Sequence, residues 1–182
     1  MDLAQLQQIL THQKQAPVHL WDPENCGEMD LVIKRDGHWL YQGSIISRKP
    51  LVKLFSTVIK KEGNDYFLVT PAEKLKISVE DAPFRIVRME AIKMDNSEDK
   101  LWVFTTNVDE KIPLNKDHPL VIKQDNKGNP VPYVIVRANL KGLLTTAVFY
   151  QLVEVASETI ISGKKHLILK SGAECFDLGT IE

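Results

Sequence analysis

The residues best suited to chemistry form a basic stretch in the first third of the chain. Residues 34–61 carry seven basic side chains and one acid, Asp36, although the 182-residue chain has a net charge of −1. Arg48 and Lys49 open a predicted helix, with Ser47 as its N-cap. Helix N-termini disfavour cations but bind anions through free N–H groups. This placement predicts an anion receptor; the alternative is that both side chains point into water or pair with distant carboxylates.

Residues on neighbouring predicted strands are further candidates for the same site. Trp39 precedes the helix and could stack on a ring, with core packing as the alternative. Arginines suit planar anions better than lysines do, and Arg85, Arg88 and Arg137 could converge there from other strands. The further residues predicted to share the cleft are Trp39, Thr70, Glu73 and Arg137.

No catalytic or metal-binding arrangement is visible. The five histidines lie in unrelated contexts, and the sequence has no glycine-rich phosphate loop, nucleophile elbow or HExxH motif. The neighbouring carboxylates at 80–81 and 98–99 are typical of solvated turns. Cys26 and Cys175 are far apart in the chain and do not form a metal-ligand pattern. We therefore expect no metal and no cofactor, and the question of an enzyme stays open, leaning towards no.

Hydrophobic periodicity and turn residues predict the elements that would position these side chains. Two hairpins are expected in the first half, the first of them around the turn dipeptide Asp36-Gly37. A polar linker is expected at 94–99. The predicted helices cover 2–14, 48–61 and 143–156, and the predicted strands after the linker cover 101–105, 120–124, 133–137, 167–170 and 174–178.

An apparent internal repeat divides the chain into two halves, 1–94 and 95–182. The hairpin segments 68–77 and 169–178 align without a gap, although limited turn chemistry alone could make two hairpins look alike. The predicted class is α+β, with two related β-rich halves. Each half would contain antiparallel strands and one amphipathic helix.

Several runs of residues resemble a bacterial family, the domain-of-unknown-function family 1285. The runs are 26–30, 35–41, 48–55, 66–73, 79–84 and 104–107. The resemblance implies a duplicated core and a C-terminal half loosely like a pleckstrin-homology fold. It also implies a site for a nucleotide-like ligand between the halves and a role in signal transduction. It implies no catalytic residues.

Together these features predict a cytoplasmic small-molecule binding or sensor protein. Its ligand would be anionic, either nucleotide-like or another phosphate-bearing small molecule, bound between the halves. Neither half is basic overall, so nucleic acid is not expected. The apolar runs are too short for a membrane span. The alternatives are a hydrolase acting on a nucleotide derivative and an adaptor with a protein partner.

Overall fold

The structure is a computed structural model that describes residues 16–94 and 99–181. These residues form two six-stranded sheets, a three-stranded sheet and two α-helices, so the fold is β-rich. A short 3-10 helix, Val18–Leu20, precedes the first sheet. The helix predicted at 2–14 and most of the predicted linker lie outside the described residues.

The first sheet is built from two three-stranded meanders joined by a helix. The elements are β1 (Cys26–Ile33), β2 (Trp39–Tyr41), β3 (Ser44–Ile45), α1 (Lys49–Ser56), β4 (Ile59–Glu62), β5 (Asp65–Val69) and β6 (Lys74–Val79). Their order across the sheet is β3-β2-β1-β6-β5-β4, and β1 pairs with β6 in parallel. Both predicted hairpins, β1–β2 and β5–β6, are present.

The second sheet repeats this plan. It contains β7 (Phe84–Lys93), β8 (Lys100–Thr106), β9 (Lys111–Pro113), β10 (Leu120–Gln124), β11 (Pro130–Arg137) and β12 (Leu140–Leu144). Their order is β10-β11-β12-β7-β8-β9, and β7 pairs with β12 in parallel. In both sheets the first strand of the first meander lies beside the last strand of the second meander. The halves are therefore related, but their sheets are mixed rather than purely antiparallel.

The helices and the third sheet break the symmetry between the halves. Helix α1 joins two meanders, whereas α2 (Thr146–Val155) follows the last strand of its sheet. Antiparallel strands β13 (Ser157–Ile161), β14 (Lys164–Ser171) and β15 (Glu174–Ile181) then form the third sheet. The segment 169–178 belongs to this sheet, so its predicted equivalence to 68–77 is wrong. By position in the sheet, β5–β6 corresponds to β11–β12.

Both helices are shorter than predicted. The helix predicted to reach residue 61 ends at Ser56, because the β-branched run 57–59 lowers helix propensity, and a turn at 57–58 leads into β4. The helix predicted from 143 begins at Thr146, after an N-cap, Thr145, whose side chain accepts from the Val148 amide. The preceding residues 143–144 belong to β12.

The halves share one core and meet along a short connection. Strand β7 pairs within the second sheet, so the sheets divide the chain at 80–83 rather than at the predicted 94/95. The main apolar cluster contains buried side chains of all three sheets, including Leu31, Phe104 and Leu169. Cys26 and Cys175 are exposed and form no disulfide. Within the described ranges, no helix is long and apolar enough to cross a membrane.

Candidate functional site

A cleft of about 570 Å³ opens where the start of α1 faces the second half; we call it the helix-start cleft. The first half contributes the β1–β2 turn and residues 46–53. The second half contributes β7 and the loop at 107–109. Two of the predicted ligand-binding residues, Lys49 and Trp39, line this cleft.

The start of α1 presents cations without a local counter-charge. Arg48 is the N-cap in place of the predicted Ser47, and its side chain makes no capping hydrogen bond. The first turn of α1 has no acidic residue, and neither Arg48 nor Lys49 forms an ion pair within the described part of the chain. Arg48 is exposed beside the cleft but does not line it. The helix macrodipole opposes both charges, so a bound anion would relieve the repulsion.

Trp39 brings an unsatisfied donor to the cleft wall. Its side chain is only 1% exposed, and its indole N–H has no hydrogen-bond partner among the described residues. An unpaired buried donor costs about 1–3 kcal/mol. Trp39 therefore packs in the core, the alternative that the sequence left open, and also lines the cleft; its stacking on a ring stays a prediction.

Arg85 is positioned at the cleft by hydrogen bonds to Asn107, which also contacts the first half. Its amide donates to Asn107 Oδ1 at 3.0 Å, and the Asn107 amide donates to the Arg85 carbonyl at 2.8 Å. Asn107 Nδ2 donates in turn to the Gly37 carbonyl at 3.2 Å. Gly37 has a φ of +94°, and a Cβ there would lie 2.8 Å from Arg85 Cγ. Only glycine at this turn lets the arginine pass so closely.

The Arg85 guanidinium lacks a direct salt bridge within the described residues. Its side chain is half-buried. Burial lowers its pKa most, and the nearby charge of Arg35 lowers the pKa further, whereas the charges of Asp81 and Asp36 raise it by less. The charged form is on balance disfavoured, and a bound anion would favour it by adding a negative charge next to the guanidinium.

A second cavity of about 700 Å³ adjoins the first, and we call it the arginine pocket. Arg85 and Asp36 line both cavities, whereas Arg35 lines only this one. Its far wall includes Phe149 and Tyr150 of α2, and Tyr150 is 64% exposed. The arginine pocket thus places two arginines and two carboxylates, Asp36 and Asp125, beside aromatic side chains.

The remaining predicted residues lie elsewhere. The Thr70 hydroxyl accepts from the amides of Ala72 and Glu73 within the β5–β6 turn, and neither Thr70 nor Glu73 lines the cavities. Arg137 Nη1 lies 2.5 Å from Glu110 Oε2, and Nη2 donates to the Ser56 carbonyl. Arg137 therefore holds the end of α1 rather than the cleft.

Sequence reasoning did not single out Asn107, Arg35, Phe149 or Tyr150 as site residues. Arg35 appeared only as one charge in the basic stretch, although its position beside the Asp36-Gly37 turn was a usable signal. Asn107 and the α2 aromatics reach the site through sheet pairing that no local pattern encodes. Among the described residues, no three His, Cys, Asp or Glu side chains are grouped to hold a metal ion.

This fold and site define a β-rich protein of two topologically equivalent six-stranded units with a cationic cleft at their junction. The family model for the "Domain of unknown function (DUF1285), N-terminal domain" matches residues 16–82. The model for the "Protein of unknown function (DUF1285), C-terminal domain" matches residues 83–178. The chain belongs to the DUF1285 family.

Two solved structures of DUF1285 family proteins are similar to this chain. The protein from Silicibacter pomeroyi DSS-3 is 39% identical with a TM-score of 0.82, covering 93% of this chain and 90% of its own. The protein from Shewanella baltica OS155 is 26% identical with a TM-score of 0.55, covering 69% of this chain and 91% of its own. No match was found among the curated proteins.

Proposed function

We propose that this protein binds an anionic small molecule between its halves, with a phosphate group at Arg85. The half-buried, unpaired Arg85 guanidinium, which lines both cavities, is the observation that carries the proposal. A phosphate there would accept from Arg85 and, at the mouth of the helix-start cleft, from Lys49. Charge-assisted bonds of arginine to phosphate are among the strongest hydrogen bonds in proteins.

The arginine pocket extends the proposal to a nucleotide-like ligand. A ring placed in it would contact Phe149 and Tyr150, while Arg35 and Arg85 hold the phosphate end. Stacking a base on an aromatic side chain contributes about 1–3 kcal/mol. The pleckstrin-homology likeness and the role in signal transduction stay predictions, and the proposal does not depend on them.

The test compares Arg85→Met with Arg88→Met in a thermal-shift screen of nucleoside monophosphates and diphosphates, each against the nucleoside without phosphate. Arg88 lies on the same strand, is exposed and lines neither cavity, so its replacement is a matched loss of charge. A compound present at a hundred times its Kd should stabilise the native protein by about 2.7 kcal/mol. For a chain of this length, that corresponds to roughly 5–10 °C.

We expect the shift to require the phosphate, to survive Arg88→Met and to be lost in Arg85→Met. A shift of equal size in both variants would remove Arg85 from the site. The absence of any phosphate-dependent shift in the wild-type protein would contradict the proposal.

A hydrolase acting on a nucleotide derivative is the second candidate, because two carboxylates, Asp36 and Asp109, line the helix-start cleft. Hydrogen bonds from the His38 amide and ring lower the pKa of Asp36, so this carboxylate stays deprotonated and could accept a proton but not donate one. Release of inorganic phosphate from the compounds that bind, lost in Asp36→Asn, would favour this candidate. The adaptor with a protein partner stays a prediction.

A further inference from the structure

Three lysines from both halves converge on a pair of tyrosines away from the two cavities. Lys123 of β10 and Lys141 of β12 place their Nζ atoms 5.9 and 5.5 Å from the centroid of the Tyr133 ring. Lys61 of β4 places its Nζ atom 5.2 Å from the centroid of the Tyr66 ring. We call Lys61, Lys123 and Lys141 the lysine cluster. None of the three lines the helix-start cleft or the arginine pocket.

The members of the lysine cluster lack carboxylate partners. Within the described ranges, none of its three members forms an ion pair, whereas eight other lysines do. Those eight are Lys34, Lys53, Lys60, Lys74, Lys76, Lys111, Lys165 and Lys170. Asp81, whose charge raises the pKa of Lys141, is already engaged, since it accepts from the Tyr133 hydroxyl at 2.8 Å and pairs with Arg35 at 3.0 Å.

The three ammonium groups also repel one another. The pKa of Lys141 is lowered first by its side-chain contact with Lys123, then by burial, and then by the charges of Lys123 and Lys61. Asp81 acts in the opposite direction but more weakly. Lys61 and Lys141 are both partly buried, so solvent screens this repulsion incompletely. An anion bound among these three ammonium groups would offset their mutual repulsion.

We propose that the lysine cluster is a second anion site, which binds a phosphoryl or other tetrahedral oxyanion across the junction of the halves. Each lysine offers three donors and no acceptor, and a tetrahedral oxyanion can accept from all three at once. The strands that carry the lysines come from both sheets, so the bound anion would join the halves directly. This site is independent of the ligand proposed at Arg85.

The site can be tested by the reactivity of the Lys141 amine, measured by limited acetylation with acetic anhydride and peptide mass spectrometry. Lys164 is the internal reference, because it is exposed and forms no ion pair within the described residues. The protein is labelled in chloride, in inorganic phosphate and in glycerol 3-phosphate at equal ionic strength. The last two probes separate free phosphate from a phosphoryl group carried by a larger molecule.

We expect phosphate or the phosphate ester, at about ten times its Kd, to slow the labelling of Lys141 roughly tenfold relative to Lys164. At that concentration only about one site in ten is unoccupied and open to the reagent. The protection should be lost in Lys123→Gln and retained in Arg85→Met. Protection of Lys141 no greater than that of Lys164 with both probes would overturn the proposal, as would full protection in Lys123→Gln. Loss of protection in Arg85→Met would show that the anion binds at Arg85 rather than at the lysine cluster, and would also overturn the proposal.

Discussion

Two neighbouring threonines on β8 differ in the hydrogen bonding of their hydroxyl groups. Both are buried, at 3% exposure for Thr105 and 0% for Thr106. The Thr105 hydroxyl has no hydrogen-bond partner among the described residues. The Thr106 hydroxyl accepts from the amides of Val108 and Glu110 at 3.3 and 3.0 Å. Thr106 therefore shapes the loop at 107–109 that lines the helix-start cleft. Burial of the Thr105 hydroxyl costs desolvation free energy that no hydrogen bond to a described residue offsets.

Replacement of each threonine by valine, which has the same shape, should change the free energy of unfolding differently at the two positions. Thr106→Val leaves two buried amides without that acceptor and should lower the free energy of unfolding by about 1–3 kcal/mol. Thr105→Val removes an unpaired group and should leave the free energy of unfolding unchanged or raise it by about 1 kcal/mol. Urea denaturation of both variants measures the difference. Equal losses in the two variants would show that Thr105 has a partner.

The elements that the sequence predicted correctly are those with a local cause. The Asp36-Gly37 turn and the alternation around Pro71-Ala72 identify the first two hairpins, and the structure confirms both. Strands β9, β12 and β13 were not predicted, because they are short or lack clear alternation, and pairing with neighbouring strands determines them. The same limit applies to the site. Lys49 and Trp39 could be predicted from position along the chain, whereas Arg137 needed its buried partner, Glu110, to be known.

Helix α1 is held at its end by Arg137, and this contact should be important for stability. Glu110 and Arg137 form a mostly buried ion pair, with side-chain exposures of 10% and 14%. The guanidinium also donates to the carbonyl of Ser56, the last residue of α1, and its Cζ lies 4.9 Å from the centroid of the Phe84 ring. It thereby connects α1 to β7 and to the loop before β9.

Arg137→Met should lower the free energy of unfolding by about 3–5 kcal/mol, because it leaves the Glu110 carboxylate buried without this counter-charge. Arg88→Met removes the same charge from an exposed position and should change the free energy of unfolding by no more than about 0.5 kcal/mol. Urea denaturation at one ionic strength compares the two variants. If both lose the same amount, the Arg137 contacts do not fix α1.

At the scale of the whole molecule, the duplication is visible in the order of strands rather than in the hairpins that look alike. Thr70 and Ser171 occupy matching positions in the sequence alignment, but their hydroxyl groups act differently. The Thr70 hydroxyl accepts from the Glu73 amide within its own turn, whereas the Ser171 hydroxyl accepts from the Trp102 amide and donates to the Leu114 carbonyl. Ser171 thus fixes the third sheet to the second sheet. The similarity of the two hairpins reflects turn chemistry.

The connection between the halves carries a carboxylate that both halves hold, Asp81. Arg35 of the first half pairs with it, and the Tyr133 hydroxyl of the second half donates to it at 2.8 Å. Burial, followed by the hydrogen bond to Asp81 and its charge, raises the pKa of Tyr133 to about 12. The protonated phenol is therefore the form that the folded protein favours.

This pKa predicts a pH dependence for the junction of the halves. The pKa of Tyr133 in the folded protein lies above the ordinary value of 10.0, so its contribution to stability is complete below about pH 10. Above that pH the unfolded chain releases the phenol proton and the folded chain keeps it, so stability falls until about pH 12.

Tyr133→Phe removes the ionisable hydroxyl group and should make the loss of stability between about pH 10 and pH 12 shallower than in the wild-type protein. Urea denaturation at intervals from pH 8 to pH 12 measures both slopes, and subtracting one from the other cancels the titration of the lysines. Parallel slopes would show that Tyr133 ionises equally easily in the folded and unfolded chains, and that its bond to Asp81 does not stabilise the junction.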